Sequence, residues 1–234
     1  MTLSIRKTTA TEAIVESVKD RIRRGEFRPG DRLPSEQVLL REYGVSRLTL
    51  REALARLAAL GIIQVQHGKG AFVKTTISMT ALDNVLIPLF PQYDINRMND
   101  LVEARNMIES EIAAKLALTR SDNDLRLLEN LLECDGETLN DPGLFADRDY
   151  AFHLSLAEMA DNQFLLVMYK ALYNQIRDFL VQYAHSIDDR REALERHRPL
   201  LNAIRKGDAE AARRLAREHA GICASFIRGM VEEK

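Results

Sequence analysis

GVSRLTLREALARLAALGIIQVQHGKGAFV, residues 44–73, changes its apolar period partway along, and that change decides the fold of the N-terminal third. Through Leu60 the apolar residues recur at helical spacing, with Leu50, Leu54 and Leu57 on one stripe. Ser46 is a good N-cap for that helix and Gly61 a natural stop. From Ile62 onward the run reads as two short strands around a tight HGKG turn, where the glycines permit positive φ.

The sequence before this stretch supplies two more helices. Residues 10–24, ATEAIVESVKDRIRR, put Ile14, Val18 and Ile22 on one face and end at Gly25. Pro29-Gly30 then makes a turn, and Ser35 with Glu36 opens a short helix, SEQVLLREYG. Helix, helix, turn, helix and hairpin is the order of a winged helix-turn-helix. Arg47, Thr49 and Arg51 lie in the first turns of the third helix, where a recognition helix meets base edges. An arginine can grip guanine with two hydrogen bonds, and a threonine hydroxyl can bond a phosphate or a base. The hairpin tip offers His67 and Lys69 with nearly bare backbone at Gly68 and Gly70, suited to close approach along a groove. The competing reading, an ordinary solvated face, does not account for the ordered pattern as a whole.

The chain has 234 residues, 46% hydrophobic and 29% charged, which is the composition of a globular protein and long enough for two domains. No apolar run approaches the roughly 20 residues that span a bilayer, and the N-terminus has no signal-peptide core, so a cytoplasmic protein without membrane contact is expected. Cys134 and Cys223 are too far apart to form a metal-ligand pair by spacing, and they imply no disulfide framework. Residues 1–76 carry 14 basic against 8 acidic side chains, leaving 19 basic and 27 acidic for the remainder. A basic N-terminal third joined to an acidic remainder is the pattern of a polyanion-binding module fused to something else.

Pro88 and Pro91 disfavour a continuous helix across residues 76–98, which read as a linker containing a short helix. Beyond it come helical patterns near 99–119, 121–138, 142–160, 162–185, 188–206 and 208–232. The breaks fall at Ser121-Asp122, Asp141-Pro142-Gly143, Asp161-Asn162 and Gly207-Asp208. The expected architecture is therefore mainly α: a winged helix-turn-helix over 8–75, the linker, and an all-α bundle of about six helices over 99–230.

Several polar residues fall on the inward stripes of that bundle. Asp149 and His153 lie one helical turn apart among Phe145, Phe152 and Leu156. His197 shares a face with Leu194, Leu201 and Ile204, and His219 with Leu215, Ile222 and Phe226. A single inward histidine is ordinary, but three with a carboxylate, from a chain holding five histidines, point to a divalent ion that partners every ring. An octahedral ion with four protein ligands keeps two open positions, whereas a tetrahedral zinc site would be closed. Arg105, among Leu101, Ile108, Ile112 and Leu116, is either half of a buried ion pair with Glu109 or another bundle carboxylate, or an anion receptor, whose fork suits a carboxylate. Gln175 could add a contact there, and His185 reads as a solvated surface residue.

The stretch from Gly25 to Val73 closely resembles the DNA-binding domain of the GntR family of bacterial transcription regulators. It carries PGD-LPSE, GVSR, LREAL, RL and GKGAFV in the family's order and spacing. That resemblance implies DNA contacts from Ser46, Arg47, Thr49 and Arg51, with His67, Gly68 and Lys69 from the wing. Where many members have a DNA-touching arginine after LPSE, this chain has Gln37. LVEARNMIESEIAAKLA, DYAFHLSLAEMADN and ERHRPLLNAIRKGDAEAARRLAREHA resemble the FCD-type ligand domain of the FadR branch of that family. Many of its members bind a metal through an Asp, the His four residues on and two later His, matching Asp149, His153, His197 and His219. The effectors are typically small organic acids, with Arg105 matching the arginine that meets their carboxylate.

Together these features imply a homodimeric regulator, expected to be a repressor, on a palindromic double-stranded operator. A sugar or hydroxy acid would bind at the metal, which is zinc by preference, with nickel or manganese as alternatives. Two other readings remain open at this level. One is a regulator that responds to the metal itself. The other is a DNA-tethered metalloenzyme, for which no further carboxylate or histidine stands as a general base.

Overall fold

The computed structural model describes residues 9–76 and 95–232. Contacts divide the chain into two compact units, Met1–Val85 and Leu86–Lys234. The proposed linker helix with Pro88 and Pro91 lies outside the described residues.

In the first unit, α1 (Ala10–Arg23), α2 (Glu36–Tyr43) and α3 (Arg47–Ala59) precede an antiparallel pair, β1 (Ile63–Gln66) and β2 (Gly70–Val73). A capping box between Thr9 and Glu12 starts α1. Ser46 starts α3 by accepting from the Thr49 amide. Ser35, by contrast, stands before α2 without a side-chain cap bond. The core gathers Ile14, Val18, Leu39, Leu50, Ala53, Leu57 and Ile63. Leu54 and Ile22, expected on the buried stripes, are only half-buried, and Ala53 joins Leu50 and Leu57 as the buried residues of α3.

The wing pairs Ile63 with Val73 and Gln66 with Gly70, and Arg32 bridges to Phe72 beside it. Gly70 has φ +111°, and a Cβ there would stand 3.0 Å from the Arg32 side chain. Any other residue at this position meets both backbone strain and a crowded guanidinium.

In the second unit eight helices are described: α4 (Ile95–Thr119), α5 (Asp122–Leu132), α6 (Gly136–Asn140), α7 (Pro142–Met159), α8 (Gln163–Ser186), α9 (Arg190–Glu195), α10 (Arg198–Lys206) and α11 (Ala209–Glu232). The predicted breaks occur, with Ser121, Asp141 and Asn162 capping by side chain and Gly207 closing α10 at φ +74°. The described part of α4 begins at Ile95, four residues earlier than expected.

Two expected helices are each interrupted. Residues 121–138 break after Leu132, where Glu133 is extended and Asp135 caps a new start. The freed carbonyls of Asn130, Leu131 and Glu133 accept from Arg148. Residues 188–206 break because Pro199, in the first turn of α10, cannot continue a helix from α9.

The unit holds two apolar clusters. One contains Ile108, Phe152, Leu200 and Leu201, and the other Leu101, Val102, Phe145, Ala146 and Leu194. Residues 105, 149 and 197 lie between members of the two clusters along α4, along α7 and at the α9–α10 break. A polar layer therefore separates two apolar ones.

Candidate metal centre and DNA-facing surface

That layer is built from four segments. Asp149 and His153 stand one turn apart on α7, His197 occupies the break before α10, His219 projects from α11, and α4 brings Arg105 and Glu109. The ligand-capable atoms of Asp149, His153, His197 and His219 all lie within 4.8 Å of one another. His153 and His197 are buried, while Asp149 and His219 are partly covered.

The hydrogen-bond pattern indicates where the protons sit. His197 Nδ1 is 3.0 Å from the Leu194 carbonyl, which can only accept, so that nitrogen carries the proton. On a neutral ring Nε2 is then a bare lone pair. Yet Asp149 Oδ1 lies 3.1 Å from it and His153 Nε2 lies 3.2 Å from it. A carboxylate oxygen and an imidazole lone pair at that separation repel unless a proton or a cation stands between them. Nδ1 of His153 and Nδ1 of His219 are buried with no hydrogen-bond partner. Three imidazoles and one carboxylate, converging with orphaned nitrogens, are a donor set that fits a divalent transition metal.

Charge at the centre is strongly perturbed. Burial opposes ionisation of Asp149, but the hydrogen bond and charge of His197, with His153 and His219, hold its carboxyl well below the usual carboxylate range. Burial holds His153 well below an ordinary histidine, Asp149 opposing it and Arg105 adding to it. His219 is likewise lowered by burial and by the other two histidines. His153 and His219 are thus arranged to favour neutral, ligating forms.

Of the two readings of Arg105, the ion pair is formed: Nε donates to Glu109 Oε1 at 2.6 Å, with the two side chains 4% and 5% exposed. Burial raises the Glu109 carboxyl and Arg105 opposes the rise. Arg105 also borders a cavity, open in part to solvent, lined as well by Asp149, His197, His219, Tyr183 and Arg196. Arg196 and Tyr183 on this wall were not anticipated, because neither lies on the inward stripe that singled out the histidines. Gln175 falls within α8, with its side chain outside the described residues. His185 is exposed.

On the first unit, Arg47 and Arg51 project from the start of α3 with side chains 65% and 63% exposed. The Ser46 and Thr49 hydroxyls are 2.8 Å apart. His67, Gly68 and Lys69 form the exposed tip of the wing, and Gln37 is exposed on α2. Glu36 was read only as a helix opener, yet it pairs with both arginines: Oε1 is 3.1 Å from Arg51 Nε and 3.5 Å from Arg47 Nε. Its sequence position gives no hint of this, because the contact crosses between two helices.

Comparison with known proteins agrees with this division. Residues 10–73 match the family described as bacterial regulatory proteins, gntR family, and residues 100–221 match the FCD domain. The chain is 28% identical over 223 residues to the HTH-type transcriptional regulator LutR of Bacillus subtilis, covering 91% of this chain and 98% of that protein. It is 29% identical over 217 residues to the HTH-type transcriptional repressor NanR of Citrobacter rodentium, covering 89% and 82%. A solved structure, Streptococcus agalactiae GntR, superposes with a TM-score of 0.66 at 25% identity, covering 93% of this chain and 99% of that one. These relatives are named as regulators of transcription rather than enzymes. The chain belongs to the FCD-domain family and is a transcriptional regulator of the GntR type.

Proposed function

We propose that this regulator binds a palindromic operator as a homodimer, and that a small sugar or hydroxy acid at a metal centre in the second unit modulates the binding. The metal ligands in this reading are Asp149, His153, His197 and His219. The observation that carries it is the approach of Asp149 Oδ1 to the lone-pair side of His197 within this four-residue cluster. A divalent ion, zinc first and nickel or manganese as alternatives, supplies positive charge and a coordination position for the acid's carboxylate. Arg105, bordering the same cavity, meets that carboxylate by turning part of its fork from Glu109. Gln175 is assigned a supporting contact from its position on α8.

At the DNA, Arg47, Thr49 and Arg51 read the major groove, Ser46 sets the helix start, and His67, Gly68 and Lys69 follow the backbone. One winged domain covers one half-site, so a palindrome requires a two-fold dimer. The domain assignment is 8–75 for DNA, 76–98 for the joint and 99–230 for effector and dimer contacts. A cytoplasmic repressor is the favoured role, as the NanR relative is itself named a repressor. The acid controls DNA binding by favouring one of two states of the helical unit.

Elemental analysis of purified protein tests the centre: wild type should carry about one divalent ion per chain, and His197→Ala or His219→Ala should be depleted. Full occupancy in both variants sinks the ligand assignment. A thermal-shift screen of small carboxylates on metal-loaded protein then identifies the effector class, since a ligand at 100 times its Kd adds about 2.7 kcal/mol. If DNA affinity instead tracks metal concentration with no acid present, the metal itself is the signal.

A further inference from the structure

Two complementary orphans belong to a pair of residues in contact next to the cluster. His153 Nδ1 and Glu109 Oε2 are both buried and lack a hydrogen-bond partner. The other oxygen of the same carboxylate, Oε1, is 3.5 Å from His153 Nδ1 and accepts from Arg105 Nε at 2.6 Å. At 3.5 Å the contact to histidine is not a closed hydrogen bond, yet no other acceptor serves that nitrogen.

We propose that Glu109 is the positioning carboxylate of the centre: it takes the Nδ1–H of His153, fixes that ring's tautomer, and is itself held in place by Arg105. The argument is one of donors and acceptors. With the proton on Nδ1, His153 faces Glu109 as a donor and presents an unprotonated Nε2 to His197 and Asp149, where a ligand lone pair is needed. With the proton on Nε2, His153 would donate to His197 Nε2 at 3.2 Å, but it would leave a bare Nδ1 against a carboxylate oxygen and withhold from an ion the lone pair it needs. His197 is oriented in the same way, with the Leu194 carbonyl in place of the carboxylate. Histidine ligands generally donate their second N–H to such a partner, and loss of the partner weakens metal binding about 10- to 100-fold. Arg105 thereby touches both the cavity and the group that orients a ligand, so an acid that engages Arg105 reaches the metal through Glu109 as well.

This inference rests on the metal reading, so its test has a metal-independent arm. Nitrogen-15 NMR of the histidine rings in metal-free, full-length protein should find His153 as the Nδ1–H tautomer. In Arg105→Met/Glu109→Leu, which removes both buried charges together and spares the fold an unpaired one, the Nε2–H form should rise. Zinc affinity, from competition with a chromogenic chelator, should fall about 10- to 100-fold in the double variant and by a smaller factor in Glu109→Gln. If Glu109 merely neutralised Arg105, removing both charges would leave zinc affinity at the wild-type level. An unchanged His153 tautomer in the double variant, or zinc affinity within about twofold of wild type in a folded double variant, overturns the proposal. Wild-type protein that takes up no zinc would overturn the metal reading, and the tautomer would then decide separately whether Glu109 orients His153.

Discussion

Glu36 is the residue through which the proposed DNA contacts of Arg47 and Arg51 can be tuned. It holds Arg47 and Arg51 together at the start of α3, with all three side chains at least a third exposed. Such exposed pairs contribute little stability, about 0–1 kcal/mol, so the consequence of this one lies in recognition. A carboxylate beside two arginines proposed to face DNA would repel phosphate everywhere and fix where the forks point. Glu36→Gln should therefore bind non-operator DNA more tightly, by severalfold, with a narrower gap between operator and random sequence. Fluorescence titrations at several salt concentrations would show it, and an unchanged ratio would refute the role. Arg47→Ala, which deletes a fork proposed to read a base, should weaken operator binding by about 1–3 kcal/mol in a gel-shift titration without unfolding the unit. Arg105 calls for a gentler substitution. Arg105→Ala strands Glu109 in a buried site and should cost about 3–5 kcal/mol of stability, whereas Arg105→Lys keeps the charge but loses the two-pronged grip. The lysine variant should remain folded, keep DNA affinity and respond weakly to the acid.

At the scale of elements, the centre depends on where helices stop. His197 is aimed from the break between α9 and α10, a break imposed by Pro199. Pro199→Ala restores an amide and removes the ring clash, which permits residues 190–206 to run as one helix and turns His197 away. Zinc affinity should fall roughly tenfold while helix content by circular dichroism stays level or rises. The same element shows what the sequence revealed and what it hid. Leu194, His197, Leu201 and Ile204 share a period even across the interruption, so the inward facing of His197 is legible in the sequence, and Pro199 marks the interruption that the shared period masks. Asp149 and His153 were legible because helical spacing alone places them together on α7. Caps at Ser121, Asp141, Asn162 and Gly207 were visible as residue types with known backbone demands. The break after Leu132 was not, since Arg148 caps its carbonyls from another helix. Arg196, Tyr183 and the pairing of Glu36 were hidden for the same reason, being contacts between elements that no periodicity encodes.

Across the whole molecule, the two units have separate cores, and the buried histidines belong to one of them. Acid and metal removal should accordingly act on the helical unit. In metal-free protein His153 and His219 resist protonation in the folded state. As pH falls through about 6.5, their ordinary value, the unfolded chain takes up protons that the folded chain refuses, so stability drops. Glu109 works in the opposite sense, because its raised value lets the folded state take up a proton before the unfolded chain does, and it offsets part of the loss. Asp149, held low, contributes stability that is lost only below the ordinary carboxylate value of 3.8. Below about pH 6.5 two histidines thus act against one glutamate, so the helical unit loses stability on balance as the pH falls. A bound ion requires the same rings to be neutral, so protons compete with it directly. Thermal melts with and without excess zinc should show a large metal-induced rise in Tm at pH 7.5 that shrinks towards pH 5.5. Adding a chelator at pH 7.5 should lower the transition of the helical unit and leave that of the winged unit in place. A Tm increment independent of pH, or a chelator effect confined to the winged unit, would show that the ion is not held by these histidines.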